Sequence, residues 1–220
     1  MRRFARQVIT LTLAPLAALP AGVAAQSAPA GSTVASIGKP PLPRGVSATK
    51  STIVLLVRHA EKAAEPADDP PLSAAGSERA RALAGTLADA GVTAVVVTPR
   101  LRTRATAQPL ATARGLTPDV VPLAGTPAAH AQAVADAVRR HAGGVVLVIG
   151  HSNTVPGIIA ALGGPKLPDL CDAAYSNLFL LVLEGEGGAG TGAAPARLVR
   201  SHYGAPDPAG AAGCATMAPR

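Results

Sequence analysis

Three short stretches of the chain carry residue types that can do chemistry together. They are Arg58-His59-Ala60-Glu61, the arginine-dense run Thr98-Pro99-Arg100-Leu101-Arg102-Thr103-Arg104, and Gly150-His151-Ser152-Asn153. A guanidinium offers a planar fork of donors that matches phosphate oxygens two at a time. A neutral imidazole is a competent nucleophile toward phosphorus, and a covalent intermediate splits one hard step into two. Two histidines and at least two arginines gathered at one point would form an oxyanion clamp with a nucleophile inside it. Such a clamp stabilises charge on the equatorial oxygens as a phosphoryl group passes. The scheme calls for no metal, and five scattered His with two distant Cys show no metal-ligand spacing.

What must bring these stretches together is visible just before each one. Residues 52–57, 93–97 and 145–149 are apolar runs rich in Val, Ile and Leu. Runs of that kind read as strands buried on both faces. Between them lie helical patterns: from an N-cap at Ser73 to Ala90 with Gly91 as the stop, then 100–114 ended by Gly115, 128–141 closed by Gly143-Gly144, and 154–162 ended by Gly163-Gly164. Val120-Val121 is a short strand candidate. Residues 178–183 and 196–202 close the pattern as strands, antiparallel at an edge, around a Gly-rich loop at 185–194. This alternation predicts an α/β domain, a three-layer α/β/α sandwich with a mostly parallel sheet and helices on both faces. Ligands of such sheets bind beyond the carboxyl ends of the strands, which is where the three stretches sit. Helix N-termini after Thr98 and after Gly150 would add N–H donors there.

The bulk numbers fit one domain. The chain has 220 residues, 48% hydrophobic and 15% charged, which excludes a generally disordered chain. Aromatics make up 2%, too few for a platform that stacks single-stranded nucleic acid. The N-terminus reads as a secretory signal over 1–25. A basic start with Arg2, Arg3 and Arg6 precedes an apolar stretch at 8–19, and Val23-Ala24-Ala25 offers a cleavage site before Gln26. The apolar run is shorter than the roughly 20 residues of a spanning helix. Removing the three arginines takes the formal charge from +7 to +4. Residues 26–51 read as a flexible lead-in, 52–204 as the domain and 205–220 as a tail. An exported protein meets an oxidising compartment, such as the periplasm, where disulfides persist; Cys171 and Cys214 then read as a bridge, the favoured reading, or as two buried thiols.

The residues quoted above resemble those of a known family. Leu56-Val57-Arg58-His59-Ala60-Glu61 resembles the Arg-His signature of the histidine phosphatase superfamily, the group that includes cofactor-dependent phosphoglycerate mutases. The run from Val97 to Ala107 is similar to the family's second block, whose invariant arginine falls on Arg102, and Val148-Ile149-Gly150-His151-Ser152-Asn153 to the block with the second histidine. The resemblance implies that His59 becomes phosphohistidine, that Arg58, Arg102 and His151 bind the phosphoryl group, and that a phosphorylated small molecule (or a phosphoprotein) is the substrate.

The resemblance thins at the general acid. Mutase-like branches usually carry a Glu between the second and third blocks, yet from 108 to 149 this chain has only Asp119 and Asp136. In the acid phosphatase branch an Asp follows the second His, where Ser152 stands here. The remaining candidates are Glu61, Asp68 and Asp69, with Glu61 closest in sequence to the nucleophile. A further option is no acid at all, for a substrate whose leaving group needs no proton. The expectation is a metal-independent phosphomonoester hydrolase. The alternatives are a phosphate-binding domain without catalysis and a mutase-like phosphoryl transferase.

Overall fold

The computed structural model describes residues 50–185 and 196–208. The expected export signal, most of the lead-in, most of the Gly-rich loop, and Cys214 with most of the tail lie outside the described residues. The elements run β1 (Thr52–Arg58), α1 (Ala74–Thr86), β2 (Ala94–Val97), α2 (Leu101–Arg114), β3 (Asp119–Val120), α3 (Pro127–Arg139), β4 (Val145–Gly150), α4 (Val155–Ala161), β5 (Asn177–Leu183) and β6 (Arg197–His202).

The strands form one sheet in the order β3-β2-β4-β1-β5-β6. β1 pairs with β4, β4 with β2 and β2 with β3, all parallel, while β5 runs antiparallel to both β1 and β6. Five strands therefore point one way and only β5 is reversed. The carboxyl ends of β1, β2, β3, β4 and β6 meet the amino end of β5 along one edge of the sheet.

Alternate residues of each central strand feed two separate cores, as period-2 geometry requires. Val54, Leu56, Val96, Val148, Phe179 and Leu181 pack with α3 and α4, through Val134, Val138 and Ile158 among others. Leu55, Val57, Val95, Val97, Leu147 and Ile149 pack with α1 and α2, through Leu83, Leu87, Ala107 and Leu110. The three layers follow from this division, and the runs look continuous in sequence because both faces are covered.

Local chemistry sets the helix ends. Ser73 Oγ accepts from Gly76 N at 3.1 Å and Thr126 Oγ1 from Ala129 N at 3.2 Å. Gly115 ends α2 at φ 64°, in the left-handed region. α1 is shorter than the periodicity predicts: it stops at Thr86 instead of Ala90. Thr86 Oγ1 takes up the carbonyl of Ala82 at 2.9 Å, and beyond it the backbone changes to tighter bonds such as Ala88 N to Gly85 O. No helix among the described residues is long and apolar enough to cross a membrane.

Candidate active site

β1 and β4 are paired in register through Arg58 and Gly150, so the two strands end side by side. His59 N then donates to Gly150 O at 2.9 Å, and His151 N donates to Thr154 Oγ1 at 2.9 Å. Those backbone bonds bring the rings of His59 and His151 to a centroid separation of 5.2 Å, edge to face. Both histidines are buried, at 4% and 8% exposure. β2 adds Thr98 and the start of α2 from the other side of β4, and α2 carries Arg102, half-buried with its Nη2 3.5 Å from His151 Nδ1.

The hydrogen bonds define the state of each ring. His59 Nδ1 lies 2.8 Å from the carbonyl oxygen of Ala60, which can only accept. The proton is therefore on Nδ1 and the lone pair on Nε2. Ala60 is itself pinned, since its N donates to Thr106 Oγ1 at 3.0 Å and that hydroxyl donates to Arg102 O at 2.7 Å. His151 Nε2 lies 3.1 Å from Thr98 Oγ1, and Thr98 lies 2.9 Å from Thr103 Oγ1. Thr103 spends its proton on backbone carbonyls of Thr98 or Arg100. Thr98 thus donates to Thr103 and accepts from His151 Nε2–H, which leaves the His151 lone pair on Nδ1, facing Arg102.

Electrostatics keep both rings neutral. His59 is pushed down from 6.5 to about 4, by burial first and then by the charges of Arg58, Arg102 and Lys62 against a stabilising bond from Ala60. His151 is pushed down to about 3 by burial, then by His59, Arg102, His130 and Arg100. A ring held neutral at pH 7 keeps the free lone pair that a nucleophile needs.

Arg58, buried at 4% exposure, is held from behind. Its Nη1 donates to Cys171 O at 2.9 Å and Asp172 O at 2.8 Å, and its Nη2 lies 3.4 Å from Asp172 Oδ1 and 3.5 Å from Tyr175 Oη. The Tyr175 ring lies under the guanidinium at 4.2 Å. The Nε–H groups of Arg58 and Arg102 are buried and have no hydrogen-bond partner among the described residues. Buried donors are rarely left unpaired. Two of them beside a pair of neutral imidazoles make a site built for an oxyanion.

The structure brings His59, Arg58, Arg102 and His151 together as the sequence predicts, and it sends Glu61 elsewhere. The Glu61 carboxylate accepts from Arg79 Nε at 2.8 and 3.0 Å and pairs with Arg79 Nη2 at 2.8 Å. Arg79 also donates to the carbonyls of Tyr203 and Ala205, so Glu61 anchors the loop after the nucleophile to the segment that follows β6. The Glu61 backbone is equally committed, because a Cβ on Gly76 would strike its carbonyl oxygen. Asp69 does reach the clamp: its oxygens accept from Leu101 N at 3.2 and 3.3 Å, and Oδ1 lies 3.6 Å from Arg102 Nη1. Asp68 offers its backbone carbonyl to Arg100 at 3.1 Å.

Sequence reasoning missed the segments 171–175 and 203–207. Residues 205–208, the described start of the expected tail, are tied to the domain. Asp207 Oδ1 accepts from the backbone N of Tyr175 and Ser176 at 2.8 and 2.9 Å, and Oδ2 accepts from Ser176 Oγ at 2.7 Å. The only prior signal was that Tyr175 is one of four aromatics in the chain. The histidines without a motif behave as packing or surface groups: His141 meets Asp119 at 2.9 Å and His202 meets Ser176 at 2.9 Å. Among the described residues no group of His, Cys, Asp and Glu could hold a metal ion. The expected disulfide has its second cysteine, Cys214, outside the described residues.

Comparison with known proteins fits this geometry. Residues 54–123 match the model of the histidine phosphatase superfamily (branch 1). The chain is similar in structure to the protein histidine phosphatase SixA complexed with tungstate, at 20% identity and TM-score 0.52, covering 68% of this chain and 96% of that one. It is also similar to a mycobacterial glucosyl-3-phosphoglycerate phosphatase, at 18% identity and TM-score 0.53, covering 68% and 97%. At these identities the likeness shows the shared fold. No curated protein matches in sequence.

Proposed function

Residues 54–123 carry the signature of the histidine phosphatase superfamily (branch 1), on a domain with that superfamily's fold, and from this premise we propose that the protein hydrolyses phosphomonoesters through a phosphohistidine on His59. The observation that carries the reading is the pair of neutral imidazoles, 5.2 Å apart, beside two buried and unpaired arginine Nε–H donors. The two solved relatives described above are phosphatases by name, which supports phosphatase activity here.

In the first step His59 Nε2 attacks phosphorus and the P–O bond to the leaving group breaks. The ring becomes cationic as the P–N bond forms, and the Ala60 carbonyl on Nδ1–H stabilises that charge. The guanidinium groups of Arg58 and Arg102 take the phosphoryl oxygens. His151 Nδ1, 3.5 Å from Arg102 Nη2, orients that guanidinium toward the phosphate. In the second step water attacks phosphorus, the P–N bond breaks and inorganic phosphate leaves. The substrate is a small phosphorylated compound, and the export signal read at 1–25 supports a reaction outside the cytoplasm. N-terminal sequencing of the mature protein tests that location, with Gln26 as the expected first residue.

The test of the reading is hydrolysis of p-nitrophenyl phosphate by wild type and by His59→Ala. Turnover by the wild type that is abolished in the variant is the expected result. Turnover that survives in the variant overturns the nucleophile assignment, and phosphate binding without turnover in the wild type favours a binding domain.

A further inference from the structure

If a carboxylic acid is to protonate the leaving group, the sequence offers Glu61, Asp68 and Asp69; the structure engages the carboxylates of Glu61 and Asp69 and leaves Asp68 exposed, with its backbone carbonyl on Arg100. Glu61 is gripped by Arg79 through three short contacts. Asp69 accepts at the start of α2 and faces Arg102. Carboxylates placed like this accept hydrogen bonds rather than offer one. The site nevertheless contains a hydroxyl with a proton to give. Tyr175 Oη accepts a long contact from Arg58 Nη2 at 3.5 Å, and no described residue accepts the phenolic proton.

We propose that Tyr175 is a catalytic residue, whose hydroxyl donates its proton to the leaving-group oxygen. Its position is specific. The ring centroid lies 6.2 Å from that of His59, and the ring lies 4.2 Å from the Arg58 guanidinium carbon. The phenol thus lies against the Arg58 arm of the clamp. The side chain is half-buried. Its backbone is fixed by the Asp207 carboxylate, which accepts from the N–H groups of residues 175 and 176. Tyrosine is an accepted proton donor in general acid catalysis.

The proton balance closes. In the first step the P–O bond breaks, the leaving oxygen takes the Tyr175 proton, and the phenolate that remains faces the Arg58 guanidinium. In the second step water attacks the phosphohistidine, its proton returns to the phenolate, and the P–N bond breaks. No further reactant is needed. The inference rests on the phosphatase reading above and deepens it, since it explains how a site with the Glu61 and Asp69 carboxylates engaged could act on esters with basic leaving groups.

The test compares Tyr175→Phe with wild type on phenyl phosphate and p-nitrophenyl phosphate, two substrates of similar shape whose leaving groups differ in basicity. The variant keeps the ring under Arg58, and retained inhibition by inorganic phosphate confirms that the clamp is intact. General acids contribute about 10²–10⁴-fold where the leaving group needs a proton. The expected result is a loss of kcat on phenyl phosphate at least tenfold greater than on p-nitrophenyl phosphate. An equal loss on both substrates, the result if the hydroxyl only steadies Arg58, overturns the proposal, and so does no loss on either. Failure of the phosphatase reading shows separately, as a wild type inert on both substrates or a His59→Ala variant that still turns over, and it takes this proposal with it.

Discussion

The two interior cores and the crevice at the carboxyl edge obey opposite rules. In the cores the largest fully buried side chains are apolar: Phe179, Leu181, Ile158 and Ile159 on one face, Leu83, Leu110, Leu147 and Ile149 on the other, each under 3% exposed. In the crevice, just past the same strands, buried groups are polar, two Nε–H donors have no partner among the described residues, and two imidazoles are held far below their ordinary titration range. Outside the crevice the described residues also leave His130 Nε2 and the Tyr203 hydroxyl buried without a partner, so what sets the crevice apart is two arginine donors beside two neutral imidazoles. Perturbed titratable groups and unpaired donors collected in one cleft mark where binding energy is to be spent.

If that contrast is real, substitutions in the two regions should have separable effects. The largest effect is expected in the crevice. His59→Ala should lower kcat by at least about 10⁴-fold, as loss of a covalent nucleophile does, while the unfolding free energy from denaturant melts stays within about 1 kcal/mol of wild type. A large loss of stability would mean His59 is structural. The opposite pattern is expected for Phe179→Ala, which empties a site of 0% exposure. It should cost about 3–5 kcal/mol of stability and leave the rate per folded molecule within about twofold. Arg102→Ala comes next, with kcat down about 10²–10³-fold, the range for one preorganised oxyanion donor. If only KM rose, Arg102 would hold the ground state alone.

Smaller effects sharpen the comparison. Folded His59 titrates near 4 and His151 near 3, against 6.5 for an ordinary histidine. Between those values and 6.5 the unfolded chain binds protons that the folded one refuses. Stability must therefore rise with pH through that window and fall on acidification from about 6.5 toward 4. Urea melts of wild type and His59→Asn at pH 7 and pH 5 check the sign: wild type should lose more on acidification than the variant. The smallest effect on rate is expected for Glu61→Gln. It should slow phenyl phosphate and p-nitrophenyl phosphate alike, by less than about tenfold, and cost about 2 kcal/mol by weakening a charge-assisted bond to Arg79. A loss confined to phenyl phosphate would restore Glu61 as the acid.

The legible part of the molecule is the part written in local patterns. Val-rich runs identified β1, β2 and β4, and the residues just past the end of each run identified His59, Arg102 and His151, because a parallel sheet gathers its strand ends on one edge. What remained hidden depends on contacts between distant segments. Arg79 reads as one more charge on an amphipathic helix, yet it lies 5% exposed and takes Glu61, 18 positions earlier, out of consideration. Tyr175 carries no motif, and it reaches the site because β5 runs antiparallel and starts where β1 ends. Asp207 lies in what reads as tail, and only folding shows that its carboxylate holds residues 175 and 176. Local alternation encodes strands and their ends. It does not encode which of several charges will meet across the sheet edge.

The central claim is covalent, and it is best tested by trapping the intermediate. Enzyme mixed with p-nitrophenyl phosphate, quenched in alkali within milliseconds and digested, should yield one acid-labile phosphopeptide, with the phosphoryl group on Nε2 of His59. A burst of nitrophenolate with no phosphorylated histidine, or a phosphoryl group on any other side chain, would contradict the account.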